Sequence, residues 1–524
     1  MKKILSLILS CFMAGAMNAQ TVEDATYGTL DFGVDGFAAY AGEPGTSHYL
    51  AGGTTGGAGG EVVVAENFSQ LQAYLQSTKP YIILVKNDIT TGITAYVDAL
   101  STGKLCDKQD GSEGVATTYG ERIMVADNKT LIGIANDKGE APLFSRITFV
   151  ILRASNVIIR NCRFTMNGAP ILKSGENKIV AWREGAQKEV GDPDCIGMQA
   201  DDGGDDAKKY YGGHIWIDHC EFFNGNAANK DRYDGLIDCK NNIRWLTYSY
   251  NLFHDHDKAC LLGKGNSDVF EGERTISMHH NYFKDIQGSR LPKQRGSFLH
   301  YLNNYMNGCQ DGWDLEVKAV SYAEACYFKN SKAPILVTDK SGSNNKINIC
   351  TDDGYGIVYD NCSRVIKTPS AGITYKNEPA KYDKEFDISS FIDTWVPTDV
   401  TSTYKVNNKV KAEQVPDFCE KYSGACKIEI WKEYASEVPA YSQTNLQTAL
   451  DNLRTLTKKS GSETYYTYDA QGNKMTKAPA PTAVENINGN VNGNANKVQK
   501  AIVDGKLVII KDGKQFNSAG AQVQ

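Results

Sequence analysis

Leu246-Thr247-Tyr248-Ser249-Tyr250-Asn251-Leu252-Phe253 decides the fold, because the chain keeps returning to its pattern. Short runs of β-branched or aromatic residues, closing on a small polar residue or Cys and then an aromatic or Met, recur downstream at Ile276–Phe283, Leu299–Met306 and Tyr322–Phe328. Upstream they recur at Asn156–Phe164 and His214–Phe222. The equivalent positions are Cys162, Cys220, Asn251, Asn281, Asn304 and Cys326, with spacings of 58, 31, 30, 23 and 22 residues. The shortest spacing is that of a bare coil, and the longer ones carry loops. A period in this range, built from strands, predicts a solenoid whose coils bury their apolar faces only when stacked. Asn at one place in three consecutive coils predicts a ladder of side-chain amides along the stack. An up-and-down antiparallel barrel would show hairpin turn signals between paired strands, and these are scarce. The expected fold is all-β, a right-handed parallel β-helix.

Working outward, Glu66–Leu75 predicts a short helix capping the open end, followed by strands at Tyr81–Val85 and Lys129–Ile134. Beyond about Cys362 the pattern weakens into segments expected to cover the far end, with helical spacing again at Gln443–Leu456. The N-terminus, with Lys2, Lys3, an apolar run from Ile4 to Met13 and mostly small residues to Ala19, reads as a secretory signal too short to span a membrane. The expected organisation is a signal at 1–19, a β-helix domain at 20–480 with its core at about 36–424, an Asn/Gly-rich linker at 481–499 and a small hairpin module at 500–524. Secretion, to the periplasm, cell surface or medium, follows. The 49 Gly, 28 Tyr and 18 Phe against 14 Pro suit many turns and aromatic strands, and a net charge of −6 supplies no basic field for nucleic acid. No later apolar run is long enough to span a membrane. Cys162, Cys220 and Cys326 read as buried small hydrophobes, Cys419 and Cys426 as candidates for a disulfide, and no cysteine pair has zinc spacing.

The chemistry concentrates between Asp192 and Arg295. Strand residues two or four apart share a face, so Asp192 with Asp194, and Asp234 with Asp238, are expected to converge. Four hard oxygen donors with no His or Cys among them suit Ca2+; the alternative is a set of solvated turn aspartates. Lys240 falls on the face of Asp238, and Lys258, Arg290, Lys293 and Arg295 add positive charge around the bend at Pro292. Cations facing a carboxylate-bound metal make a site for an anionic polymer, although each taken singly is an ordinary solvated or ion-paired base. His254, His256, His279 and His280 lack a nucleophile partner, which argues against a hydrolase triad, and His219 reads as a packed structural residue.

Trp216-Ile217-Asp218-His219, Asp234-Gly235-Leu236-Ile237-Asp238, Phe253-His254-Asp255-His256-Asp257-Lys258, His279-His280-Asn281-Tyr282-Phe283 and Arg290-Leu291-Pro292-Lys293-Gln294-Arg295 occur in that order. As an ordered set this resembles the pectate lyases of polysaccharide lyase family 1. Gly52–Gly60 and Asn128–Gly133 are similar to that family's N-terminal part, and the resemblance runs from about Gly36 to Gly424. It implies a parallel β-helix and Ca2+-dependent β-elimination of α-1,4-polygalacturonate, leaving 4,5-unsaturated ends. On this resemblance Asp192, Asp194, Asp234 and Asp238 hold calcium, although the family often carries Glu where Asp234 stands. Lys240, Lys258 and Arg295 bind substrate, and Arg290 is the base. Calcium on the uronate carboxylate acidifies the C5 proton, and Lys258 and Arg295 stabilise the developing charge. An arginine of pKa ~12.5–13.8 is neutral in only roughly 10⁻⁴ to 10⁻⁵ of molecules near pH 9. Either neighbouring cations depress that pKa or a strong base at small population suffices, and both imply an alkaline optimum.

Three rivals follow. A pectin lyase acting on methyl-esterified polymer without calcium should lack the acidic quartet. A non-catalytic β-helical adhesin or pectin-binding protein has no reason to keep acids and bases together. A glycoside hydrolase needs two carboxylates placed as acid and as nucleophile or base. The expected partner is pectin or polygalacturonate, and the expected state a monomer. The segment from Lys500 resembles short tails of some secreted bacterial proteins and is read as a candidate sorting signal.

Overall fold

The computed structural model describes residues 20–90, 121–167, 194–200, 212–225, 233–269, 274–338 and 404–454, less a few positions such as 46–48 and 436–437, with isolated strands within 180–189, 344–345, 357–366 and 498–523. The expected export signal (1–19), the expected linker up to residue 497 and Asp192 lie outside the described residues, while the linker's last two positions, 498 and 499, belong to a strand. Three sheets wrap one core. The first has ten parallel strands, among them Tyr81–Val85, Lys129–Gly133, Ser155–Arg160, Gly213–Asp218, Arg244–Ser249, Thr275–His279 and Phe298–Leu302. The second has nine, including Glu221–Phe223, Leu252–Lys258 and Tyr282–Ser289. The third also has nine, eight of them parallel, including Ile196–Gln199, Ile237–Lys240, Cys260–Leu262, Lys293–Gln294 and Asp311–Leu315. The chain visits the sheets in turn, once per coil, and so forms a right-handed parallel β-helix.

The repeat read from the sequence is the register of the stack. Leu246 pairs with Ile276 and Ile276 with Leu299 in the first sheet, while Phe222, Phe253, Phe283 and Met306 align in the second. Phe164, Phe222, Phe253 and Phe283 stack inside with ring centroids 5.0, 5.3 and 4.9 Å apart. Six consecutive coils turn from the first sheet to the second through a single left-handed residue: Asn161, His219, Tyr250, His280, Asn303 and Ala325 all have φ between 47° and 56°. Such a conformation costs a non-glycine residue roughly 1–2 kcal/mol. The next residue offsets it. Asn251 Nδ2 donates to Asn281 Oδ1 (3.1 Å) and Asn281 Nδ2 to Asn304 Oδ1 (2.9 Å). The same oxygens accept the backbone N–H of Asn251 and Asn281 from the coil before.

The helix Phe68–Gln76 is capped by Asn67 Oδ1, which accepts from Gln70 N (3.0 Å), and it buries Leu71, Tyr74 and Leu75 over the first coils. Among the described residues, the later segments from 404 to 454 do not go where the sequence placed them. Residues 404–428 run lengthwise along the corner between the first two sheets. Val410 N donates to Asn303 Oδ1, Asn408 Nδ2 to Tyr250 Oη, and Cys426 N to Asn161 Oδ1. The helix Gln443–Leu450 is shorter than the spacing of leucines suggested. It returns to the N-terminal end, where Leu446 and Ala449 join the core beside Leu71 and Arg454 N donates to Gln76 O. Both corrections have one cause: these contacts lie far apart along the chain and leave no periodic trace. Cys162, Cys220 and Cys326 are buried thiols, as read. Cys419 and Cys426 are not joined: the Cys419 Sγ lies 3.4 Å from Asn303 O, whereas Cys426 is anchored at Asn161. The strands Val498–Val503, Lys506–Lys511, Lys514–Asn517 and Gln522–Val523 form a separate antiparallel sheet of four, two strands more than a hairpin.

Candidate active site

In Ile237–Lys240 the alternation of the third sheet turns Ile237 and Cys239 into the core and leaves Asp238 and Lys240 on the outer side. Asp194 and Asp234 arrive differently from what strand spacing suggests, since each sits in the turn that precedes its strand. Glycine makes that approach feasible. A Cβ on Gly235 would lie 1.9 Å from Asp238 Oδ1, and one on Gly197 would lie 3.2 Å from Asp194 Oδ2. Gly235 N donates to Asp194 Oδ1 (3.0 Å) and Leu261 N to Asp238 Oδ1 (3.0 Å). His256 Nε2 donates to the Asp234 carbonyl (2.7 Å), and burial pushes its pKa down to about 4, so the ring is neutral and holds this turn. The sequence reading gave His256 no role; only its place between the Asp234 turn and Lys258 reveals one.

Asp194, Asp234 and Asp238 each offer a carboxylate oxygen, all within 4.8 Å of one another. Burial and the Asp194 charge push Asp238 well above the usual carboxylate range. Burial also raises Asp194, against the pull of Lys240. Crowded, partly dehydrated acids of this kind bind a hard cation readily, and a donor set made only of oxygens fits Ca2+. Three of the four predicted ligands are thus brought together.

The bases line the adjoining groove. Arg290, at φ 69° just after the strand Tyr282–Ser289, places Nη1 2.9 Å from Asp234 Oδ1 and 3.4 Å from Asp238 Oδ2. Lys258 Nζ lies 3.7 Å from Asp234 Oδ1, and Lys240 Nζ 3.4 Å from Asp194 Oδ2. Arg295 pairs with Glu316 and donates through Nη1 to Gly263 O (2.9 Å), and Lys293 lies between Asp314 (3.1 Å) and Glu316 (2.6 Å). These last two acids went unread in the sequence, although their spacing of two marks one strand face. For Arg290, burial alone would lower the pKa, but Asp238, Asp234 and Asp194 outweigh it and the net shift is upward. The protein's own charges therefore raise Arg290 rather than depress it. A cavity of about 430 Å³ opens here, lined by Asp257, Lys258, Lys264, Arg290, Lys293 and Arg295 among others.

A family model described as pectate lyase matches residues 38–427. The chain belongs to the pectate lyase family. A pectate trisaccharide-lyase of Bacillus licheniformis is 32% identical over 350 residues, 64% of this chain and 82% of that protein. Pectate lyase plyB of Emericella nidulans is 28% identical over 282 residues, 53% of this chain and 66% of the relative. Among solved structures, the pectate lyase Bsp165PelA of Bacillus sp. N165, in complex with trigalacturonate, is 22% identical with a TM-score of 0.48, covering 75% of this chain and 99% of that one. As a pectate lyase the chain is a polysaccharide lyase. Its His219 is fully buried, with Nδ1 2.7 Å from Asp218 Oδ2, and stacks on Tyr250 with centroids 4.8 Å apart. Asp218 also takes Arg160 Nε and Ser249 Oγ, so this motif belongs to packing outside the lyase groove. Among the described residues no helix is long and apolar enough to cross a membrane.

Proposed function

We propose that this chain cleaves α-1,4-polygalacturonate by calcium-dependent β-elimination, leaving 4,5-unsaturated ends. The observation that carries the reading is the three-carboxylate cluster with the Arg290 guanidinium reaching two of its members at the edge of a cationic groove. Asp194, Asp234 and Asp238, with Asp192, are the residues that would hold the ion. When bound, calcium supplies a positive charge that draws electron density from the uronate carboxylate and acidifies the C5 proton. Lys240, Lys258 and Arg295 bind the polymer's carboxylates, and Lys258 and Arg295 stabilise the negative charge that develops as the proton leaves. Arg290 takes that proton, and the C4–O bond to the next unit breaks as the C4–C5 double bond forms. Export through the segment 1–19, with action on a polymer outside the cell, completes the reading.

The test is ultraviolet absorbance of polygalacturonate incubated with purified protein at alkaline pH, with and without EGTA. A rise abolished by EGTA and restored by calcium supports the proposal. A rise indifferent to EGTA replaces it with pectin lyase-like chemistry. No rise on any pectic polymer, from folded protein that binds calcium, replaces it with a binding role.

A further inference from the structure

Lys264 shares the groove with Lys258, Arg290 and Arg295, and the mechanism above does not use it. Its side chain is exposed. Among the described residues Lys264 makes no ion pair, whereas every other cation of the groove faces an acid: Lys258 and Arg290 at Asp234, Lys293 and Arg295 at Glu316. The backbone beneath it is fixed. Lys264 N donates to Asp268 Oδ2 (2.7 Å), and both Asp268 oxygens accept Asn241 N (3.1 Å each). Asp268 pairs with Arg274, both side chains fully buried. The Arg274 guanidinium also donates to Asn241 O (2.6 and 2.9 Å) and to Arg295 O (3.0 Å).

Gly263 has φ 104°, and a Cβ there would lie 2.8 Å from Arg274 Nη1 and 3.1 Å from the Arg295 Cβ. One buried ion pair therefore sets the turn carrying Lys264 against the residue after Lys240 and against Arg295 itself. The strand register agrees. Leu262 pairs with Cys239 on one side and Gln294 on the other, so the Gly263-Lys264 turn lies between Lys240-Asn241 and Arg295-Gly296 along the stack. A polymer of regularly spaced carboxylates lying along that row meets an ammonium that pairs with no acid among the described residues and is carried on a fixed backbone.

We infer that Lys264 is a further uronate-binding residue, holding a galacturonate carboxylate beside those held by Lys258 and Arg295; this rests on the pectate lyase reading above. The experiment measures initial rates of unsaturated-product formation on polygalacturonate for the full chain, Lys264→Gln and Lys264→Arg. The expected result for Lys264→Gln is a KM raised about two- to five-fold, the scale of a solvent-exposed ion pair, with kcat within about two-fold. Lys264→Arg should restore KM, and the difference between Lys264→Gln and the unmodified chain should shrink as NaCl approaches about 0.5 M and screens exposed charges. An unchanged KM in Lys264→Gln overturns the inference, as does a raised KM that is indifferent to salt. Absence of product from the unmodified chain overturns the functional reading itself, and the inference with it.

Discussion

The corner that turns the first sheet into the second and the outer side of the third sheet both stack polar side chains coil upon coil, with opposite results. At the corner Asn251, Asn281 and Asn304 are fully buried, and each amide passes its hydrogen bond to the next coil. On the third sheet Asp194, Asp234 and Asp238 gather like charges whose burial two of them resist by titrating upward. A fully satisfied polar network stabilises, and a crowded set of like charges opposes folding. The corner thus holds the coils in register, and the groove stores an unmet demand for positive charge that an ion and the bases around it can answer. A residue should therefore matter for stability or for turnover according to which of these places it occupies.

The largest expected effect lies in the groove. Arg290→Ala or Arg290→Lys should lower kcat about 10²- to 10⁴-fold, the usual span for a positioned proton-transfer group, while calcium binding measured by titration calorimetry persists. Turnover at the level of the unmodified chain in either variant would remove Arg290 from the mechanism. Asn281→Ala should behave in the opposite way. It strands the Asn251 backbone N–H and takes one partner each from the Asn251 side-chain amide, the Asn304 oxygen and the Tyr248 carbonyl, and should cost on the order of 3 kcal/mol in urea unfolding with kcat intact. Loss of stability below about 1 kcal/mol would mean that the ladder decorates the corner without holding it.

Legibility in the sequence divides along the same line. The Asn ladder, the Phe stack and the strands Tyr81–Val85 and Lys129–Gly133 could be read because repetition copies their geometry from coil to coil. The site residues could be listed from their motif, but their assembly could not be derived. Asp234 meets Asp238 through a turn that only Gly235 permits, and Asp194 reaches them from a neighbouring coil. Single-copy contacts were invisible for the same reason: the return of 404–428 along the corner, the Asp268–Arg274 pair and the support of Asp234 by His256 recur nowhere else in the chain.

Calcium provides a sharper contrast of slightly smaller size. At a hundred times its dissociation constant the ion should add about 2.7 kcal/mol to the stability of the folded chain. Asp238→Asn should abolish that increment and raise the melting temperature of the calcium-free protein, because it removes the carboxylate most strongly disfavoured by burial. A calcium-free Asp238→Asn protein that melts lower than its parent would show that the groove's charges are already balanced by Lys240 and Arg290, and would erase the distinction drawn between groove and corner.

The smallest effect comes from a charge that belongs to neither place. Lys129, wholly buried at the start of a first-sheet strand, donates through Nζ to Lys79 O (2.6 Å) and Asp127 O (2.7 Å). Burial lowers its pKa from 10.5 to about 7, with Asp127 opposing the shift. Below about pH 7 the ammonium is charged in both folded and unfolded chains, and the folded chain bears the full cost of burying it. Between about 7 and 10.5 the unfolded chain binds the proton and the folded chain releases it, so stability rises with pH across that window. From pH 7 to 9 the gain should be about 2 kcal/mol at one pKa unit per 1.36 kcal/mol. Denaturant unfolding of the parent and of Lys129→Met at both pH values isolates it, because the substitution removes this titration and leaves the rest of the chain's pH response in place. Parallel curves for the two proteins would mean that the ammonium stays charged inside the stack, held by its two carbonyls and Asp127. A steeper rise in the parent would mean that the fold tolerates a buried lysine by releasing its proton, in the alkaline range where Arg290 also becomes the more effective base.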